Sequence, residues 1–179
     1  MYLAAGFILE EGFPLADLQN IVISMADAAN KAGVPIITGD TKVVERGKGD
    51  GVFITTTGIG VVADGIEISS ERAEVGCKIL VSGSLGDHGI AIMAGRENLQ
   101  FETAIVSDSA ALHGLVADML AVAPKAIRCL RDPTRGGVAA VLNELATQSG
   151  VGMSLDEAAL PIRPAVLAAC EMLGFDPLY

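Results

Sequence analysis

Tryptophan is absent from these 179 residues, and aromatic side chains of all kinds make up only 4%. Proteins that hold single-stranded nucleic acid stack its bases on aromatic platforms, so this composition argues against an OB-type or RRM-type binder. Positive charge is scarce too: 12 Lys and Arg stand against 22 Asp and Glu, a net charge of −10, with a pI near 4.5. A nucleic-acid partner would require a basic patch to neutralise phosphates. The balance suits a protein that handles an anionic ligand through Mg²⁺ and backbone N–H groups. Cysteine is limited to Cys77, Cys129 and Cys170, far apart and with no C-x-x-C pair. That spacing argues against a paired zinc site, and the odd count argues against a disulfide framework. The three are read as reduced, mostly buried, small apolar residues of a cytosolic protein. Although 51% of residues are hydrophobic, no apolar run approaches the ~20 residues a bilayer demands. The opening Met1-Tyr2-Leu3-Ala4-Ala5-Gly6 has no basic n-region, so neither a membrane span nor a signal peptide is expected.

What is present begins with Ile36-Ile37-Thr38-Gly39-Asp40-Thr41-Lys42-Val43-Val44, in which two branched runs flank four polar or small residues. Gly39 permits a turn or a close approach. Asp40 is a hard oxygen ligand suited to Mg²⁺, Thr41 brings a hydroxyl, and Lys42 brings a cation for a phosphate or carboxylate. At a strand end, where α/β proteins bind ligands, such a cluster makes a site. The alternative is a polar turn between two strands, with Lys42 solvated.

Along the chain, residues 1–10 are apolar and predict a helix. Pro14 suits a first helical position, and Leu15, Leu18, Val22, Met25 and Ala29 recur at helical spacing. That helix should stop at Gly33, with Pro35 forbidding continuation. Arg46 to Gly51 is a glycine-rich charged turn without P-loop spacing and predicts a hairpin connection; a phosphate-gripping loop is the other reading. Val52–Val62 predicts the strand at the centre of the first part. Polar residues 64–76 mark a domain boundary.

Beyond the boundary, Lys78–Val81 predicts a strand that ends in Ser82-Gly83-Ser84-Leu85-Gly86-Asp87-His88-Gly89 and feeds a helix over 90–97. The N–H groups of that turn could face an anion. His88 is either a proton carrier or a ring donating to a nearby carbonyl. Gln100–Ser107 reads as loop. Asp108 or Ser109 should cap a helix over 108–123, ended by Pro124. Ala126–Leu130 predicts a strand, followed by Arg131-Asp132-Pro133-Thr134-Arg135-Gly136-Gly137 and a helix over 134–148. Asp132 lies 92 residues beyond Asp40. Two such aspartates can share one divalent ion, which usually takes one or two carboxylates plus substrate phosphates; otherwise Asp132 caps the helix. Val151–Leu155 predicts a strand, and Pro164–Leu173 a helix. The second part should therefore be a sheet covered by the helices at 108–123, 134–148 and 164–173. The abrupt start and finish predict an internal piece of a longer protein, with sheet edges left unpaired.

Phe7-Ile8-Leu9-Glu10-Glu11-Gly12-Phe13-Pro14, Thr38-Gly39-Asp40-Thr41-Lys42-Val43-Val44, Gly86-Asp87-His88-Gly89 and Arg131-Asp132-Pro133-Thr134-Arg135-Gly136-Gly137 resemble the HypE family of hydrogenase maturation factors. These are carbamoyl dehydratases in the superfamily of aminoimidazole ribonucleotide synthetase and selenophosphate synthetase. The resemblance covers essentially the whole chain, in the family's order. It implies an α/β (α+β) fold in two parts. Residues 1–66 would be the C-terminal portion of an ATP-binding and dimerisation domain, and 67–179 most of a second, sheet-and-helix α/β domain. It implies ATP-dependent dehydration of a protein thiocarboxamide to a thiocyanate, which supplies cyanide for the iron of nickel-iron hydrogenase. ATP and Mg²⁺ would be the cofactors; a second copy, the carbamoyltransferase HypF and the HypC–HypD complex would be the partners, in the cytoplasm.

By the same resemblance Asp40 would bind Mg²⁺-ATP, with Thr41 beside the phosphates, and Lys42 would orient the carbamoyl-bearing tail. Asp132 would lie near metal and phosphates, with Thr134 and Asp87 also on the nucleotide side, and Gly86, Asp87 and His88 would form a strand-to-helix turn between the halves. The family's N-terminal aspartate segment, its Asn-Glu-Gly segment and its substrate-carrying terminal cysteine have no counterpart in these residues, so the piece alone is expected to be inactive. Two other classes compete: another ATP-using superfamily member (selenophosphate synthetase-like or thiamine-phosphate kinase-like) and a non-catalytic interaction module.

Overall fold

A computed structural model describes all residues except 100, 102 and 103; the expected loop Gln100–Ser107 lies, at those positions, outside the described residues. The chain divides into two compact units, Met1–Asp64 and Gly65–Tyr179. The architecture is mixed α/β.

The first unit contains β1 (Tyr2–Glu10), α1 (Leu15–Ala32), β2 (Ile36–Val44) and β3 (Val52–Ile59), with sheet order β2-β1-β3. The helix expected over residues 1–10 is instead the central strand. An unbroken apolar run carries no period of its own. Pairing decides its state, parallel to β2 on one side and antiparallel to β3 on the other. Because β1 lies between them, β2 and β3 are not a hairpin, and the Arg46–Gly51 loop carries the chain across β1. Contrary to expectation, β3 is an edge of this three-stranded sheet and stops at Ile59. Ile59 pairs with Tyr2, the first residue of β1, so Gly60–Val62 has no ladder to join.

Helix α1 forms where expected, but two residues of its expected apolar face, Leu15 and Val22, are exposed. Leu18, Ile21, Met25 and Ala29 form its half-buried stripe, and Gly33, at φ 63°, closes it by donating to Ala29 and Asn30 carbonyls. Pro14 stands one residue ahead of the helix rather than at its first position. Two buried residues, Ala5 and Leu9, mark the covered face of the sheet.

The second unit contains α2 (Asp87–Arg96), α3 (His113–Val122), α4 (Gly137–Ser149) and α5 (Pro164–Leu173), with a 3₁₀ turn at Glu157–Ala159. Its core is the seam where Ile90 of α2 meets Val166, Ala169 and Cys170 of α5, flanked by Phe101, Ile105, Ile162 and Leu173. Among its described residues no strand forms at 78–81, 126–130 or 151–155, so the expected covered sheet is not present in this unit. A parallel bridge, Leu85 to Ile162, is the one isolated pairing among the described residues of this unit. A branched run becomes a strand only when a neighbouring strand satisfies its N–H and C=O groups in a ladder; here Arg128 accepts a single N–H bond, from Ser69 at 3.1 Å, and no ladder forms among the described residues. Helix α3 starts at His113 with no side-chain cap, because Ser109 bonds to Ser107 instead. Helix α5 occupies the expected residues, with Pro164 in its first turn. All three cysteines are free, but only Cys170 is buried; Cys77 is exposed and Cys129 half-buried. No described helix is long and apolar enough to cross a membrane.

Candidate functional site

Gly39-Asp40-Thr41-Lys42 lies inside β2, not in a turn at its end. Strand alternation therefore divides the motif between the two faces of the sheet. In register, Asp40 sits beside Gly6 and Thr55 beyond it, while Lys42 sits beside Ile8 and Phe53 beyond it. These six residues line a shallow depression of about 250 Å³. A carboxylate and an ammonium thus share one face, two residues apart, and the missing side chain at Gly6 leaves bare backbone beside the carboxylate. Thr41, paired with Phe7, belongs to the opposite face. Its N–H donates to Asp40 Oδ1 at 2.8 Å, which fixes the carboxylate's direction. Such a face can hold a metal-bound phosphate through Asp40 and a second anionic or carbonyl group through Lys42.

The glycine-rich loop after β2 is held from within. The Glu10 carboxylate accepts N–H bonds from Gly47 and, at 3.2 Å, from Gly51. Those two bonds, Gly47 first, hold its pKa below the ordinary carboxylate value, and Arg46 adds to the effect. Two N–H groups that a phosphate would need are already occupied, which speaks against the phosphate-gripping reading. Sequence reasoning missed Glu10 because nothing in its spacing links a strand-end acid to a loop some forty residues later.

In the second unit, Asp132 is exposed and accepts the Thr134 hydroxyl at 2.7 Å. That bond, its own backbone N–H and the Arg131 charge hold its pKa low, so it stays ionised. It does not cap α4, whose cap residue is Gly136. Arg131 is turned aside to Glu144 at 2.9 Å. His88 Nδ1 lies 2.9 Å from the Ser107 hydroxyl, not from a carbonyl. Asp87 differs from the other acids: its side chain is 0% exposed at the start of α2. Arg163 Nε stands 3.2 Å from Oδ1, within ion-pair reach but off the hydrogen-bonding direction, and both carboxylate oxygens lack a hydrogen bond among the described residues. No three His, Cys, Asp or Glu side chains of the described residues form a ready metal cage. Asp40 and Asp132 are instead isolated, exposed hard-oxygen donors, which fits Mg²⁺ brought in on a nucleotide's phosphates.

Two matches fix the class. The C-terminal domain of AIR synthase related proteins matches residues 74–179, and the N-terminal domain matches residues 1–62. The chain belongs to the AIR synthase related family. Within that family it is 69% identical, over its whole length, to carbamoyl dehydratase HypE of Cupriavidus necator, covering 51% of that protein. It also superposes on a crystal structure of hydrogenase maturation protein HypE in complex with ATP (TM-score 0.96, 49% identity, 99% of this chain and 53% of that one). A HypE–HypF complex structure gives a TM-score of 0.95 at 52% identity, covering 99% of this chain and 58% of that one. The chain therefore spans about half the length of the relatives it matches.

Proposed function

We propose that these residues are part of an ATP-dependent carbamoyl dehydratase of hydrogenase maturation, converting a protein thiocarboxamide to a thiocyanate whose cyanide goes to nickel-iron hydrogenase. The observation that carries the reading is the pairing of Asp40 and Lys42 on one open sheet face beside the bare backbone of Gly6. An amide oxygen is a poor leaving group. Phosphorylated by ATP with release of ADP, it departs as inorganic phosphate while the amide nitrogen gives up its two protons, leaving the nitrile. Mg²⁺, when bound, would neutralise phosphate charge; Asp40 in the first unit and Asp132 in the second each offer an acidic ligand of the kind it takes. Asp40 holds the nucleotide's metal in place, and Thr41 orients Asp40 through its N–H. Thr134 keeps Asp132 ionised and directed. Lys42 orients the carbamoyl group and opposes the negative charge that develops on its oxygen. Asp87 serves the nucleotide side at one remove, from its buried place at the start of α2.

Residues 1–66 contribute the ATP-binding and dimerisation portion, and 67–179 most of the second domain. The working molecule is a cytoplasmic homodimer that takes its carbamoyl group from HypF and delivers cyanide to HypC–HypD; a relative's structure with HypF supports the first of these. The 179 residues alone are inactive on this reading, so the test uses full-length protein. Asp40→Asn should weaken Mg²⁺-ATP binding by about tenfold or more in calorimetric titration. Lys42→Ala should leave ATP binding intact and slow thiocyanate formation by ~10²-fold at saturating ATP. Unchanged affinity in the first variant and unchanged turnover in the second would overturn the assignment.

A further inference from the structure

Two glycines that open helices in the second unit adjoin the same short segment, Asp176–Leu178, one tightly and the other in ordinary contact. A Cβ on Gly137, at the start of α4, would stand 2.2 Å from the Leu178 carbonyl oxygen. A Cβ on Gly86, just ahead of α2, would stand 3.6 Å from Pro177 and 2.9 Å from the Val166 side chain of α5. The segment is itself well held: Phe175 N–H donates to the Cys170 carbonyl at 2.9 Å, and Asp176 Oδ1 accepts the Leu178 N–H, also at 2.9 Å. The Leu178 carbonyl then accepts the Ala139 N–H at 2.9 Å, filling one of the donor positions that a helix start leaves open.

We propose that Asp176–Leu178 is a positioning element that ties the start of α4 to the start of α2. It thereby sets the acidic turn Asp132–Thr134, which leads directly into α4, in register with the Gly86-Asp87-His88-Gly89 turn. The segment is hydrogen-bonded to the start of α4 and in van der Waals contact with the start of α2, so a shift of either helix would move the side chains ahead of it. Alanine at Gly137 cannot be accommodated without displacing Leu178, because backbone is the obstacle rather than a flexible side chain. The role rests on the nucleotide reading of Asp132 and Thr134.

Gly150 supplies a matched control for the test. Its φ of 67° is close to the 63° of Gly137, so alanine meets the same backbone penalty at both, yet a Cβ on Gly150 meets nothing within 4 Å. In full-length protein, Gly137→Ala should weaken Mg²⁺-ATP binding by about tenfold while Gly150→Ala stays within about twofold of wild type. Asp176→Ala, an exposed change that spares both helices, should weaken it in the same direction. Amide exchange reads the joint without ATP: Gly137→Ala and Asp176→Ala should each speed exchange at Ala139 and also across Gly86–Ile90, whereas Gly150→Ala should not. Exchange confined to α4 would overturn the joint. Equal ATP affinity for both glycine variants, with exchange coupled, would overturn the positioning role. If wild type fails to bind Mg²⁺-ATP at all, the functional reading falls, and the exchange result still decides the joint.

Discussion

Replacing Gly39 with alanine isolates the packing that carries Asp40. A Cβ there would lie 2.2 Å from the Ala5 carbonyl oxygen and 3.2 Å from its carbon, both backbone atoms of the central strand. Ordinary contact needs more than 3 Å, so β1 and β2 must part locally by about 1 Å. A hydrogen bond stretched by that amount leaves the range of N–H···O geometry. Losing one or two ladder bonds costs about 1 kcal/mol each, and overpacking adds about 1–3 kcal/mol. The expected loss is about 2–5 kcal/mol, a large part of the 5–15 kcal/mol that holds a typical protein folded. Gly89→Ala is the contrast: Gly89 lies in α2 and a Cβ there meets nothing within 4 Å, so alanine should be neutral or gain about 0.5 kcal/mol. Urea unfolding of full-length protein, followed by circular dichroism with a common slope, measures both. A Gly39→Ala protein within 0.5 kcal/mol of wild type would refute the reasoning. So would one no less stable than Gly89→Ala.

Two further outcomes follow from the acids. The bonds from Gly47 and Gly51 favour the charged Glu10, so its folded-state pKa is depressed. Its stabilisation is then present above the unfolded-state value near 4.3 and is lost as pH falls through the lower folded value. Melting temperatures of wild type and Glu10→Gln should differ at pH 6 and converge toward pH 3; parallel curves would remove Glu10 from the loop. Arg163→Ala leaves the buried Asp87 carboxylate with no cation beside it and should cost about 1–3 kcal/mol, discounted because Arg163 is 58% exposed. Adding Asp87→Asn should recover part of that loss, since the orphaned charge is gone, whereas additive losses in the double-mutant cycle would rule out the pair.

Elements whose formation is a local matter were legible from residue order alone. Helix α1 shows its stripe at Leu18, Met25 and Ala29 and its stop at Gly33, and α5 is announced by Pro164. Strands were read poorly in both directions, for one reason. The run at Tyr2–Glu10 has neighbours on both sides and becomes a strand despite lacking a clear period. The runs at Lys78–Val81, Ala126–Leu130 and Val151–Leu155 were read as strands too, but among the described residues none has a neighbouring strand to pair with, and they stay outside any sheet. Strand propensity reports how a residue fits a pleated surface already built by others. It cannot say whether that surface is there.

The chemistry of Gly39-Asp40-Thr41-Lys42 could be read from residue types, but the geometry could not, because it depended on whether those four residues turn or extend. In a turn, all four could converge on one ligand. In β2, a period of two brings Asp40 and Lys42 together and sends Thr41 to the far face, while its N–H still reaches Asp40 Oδ1. The extended state follows from Gly39: its bare Cα lets β2 pass within contact of the Ala5 carbonyl, and a strand that close continues its pairing through Val44. The glycine that makes the motif look like a loop is therefore the residue that keeps it in the sheet, and the sheet is what brings the carboxylate and the ammonium to one face.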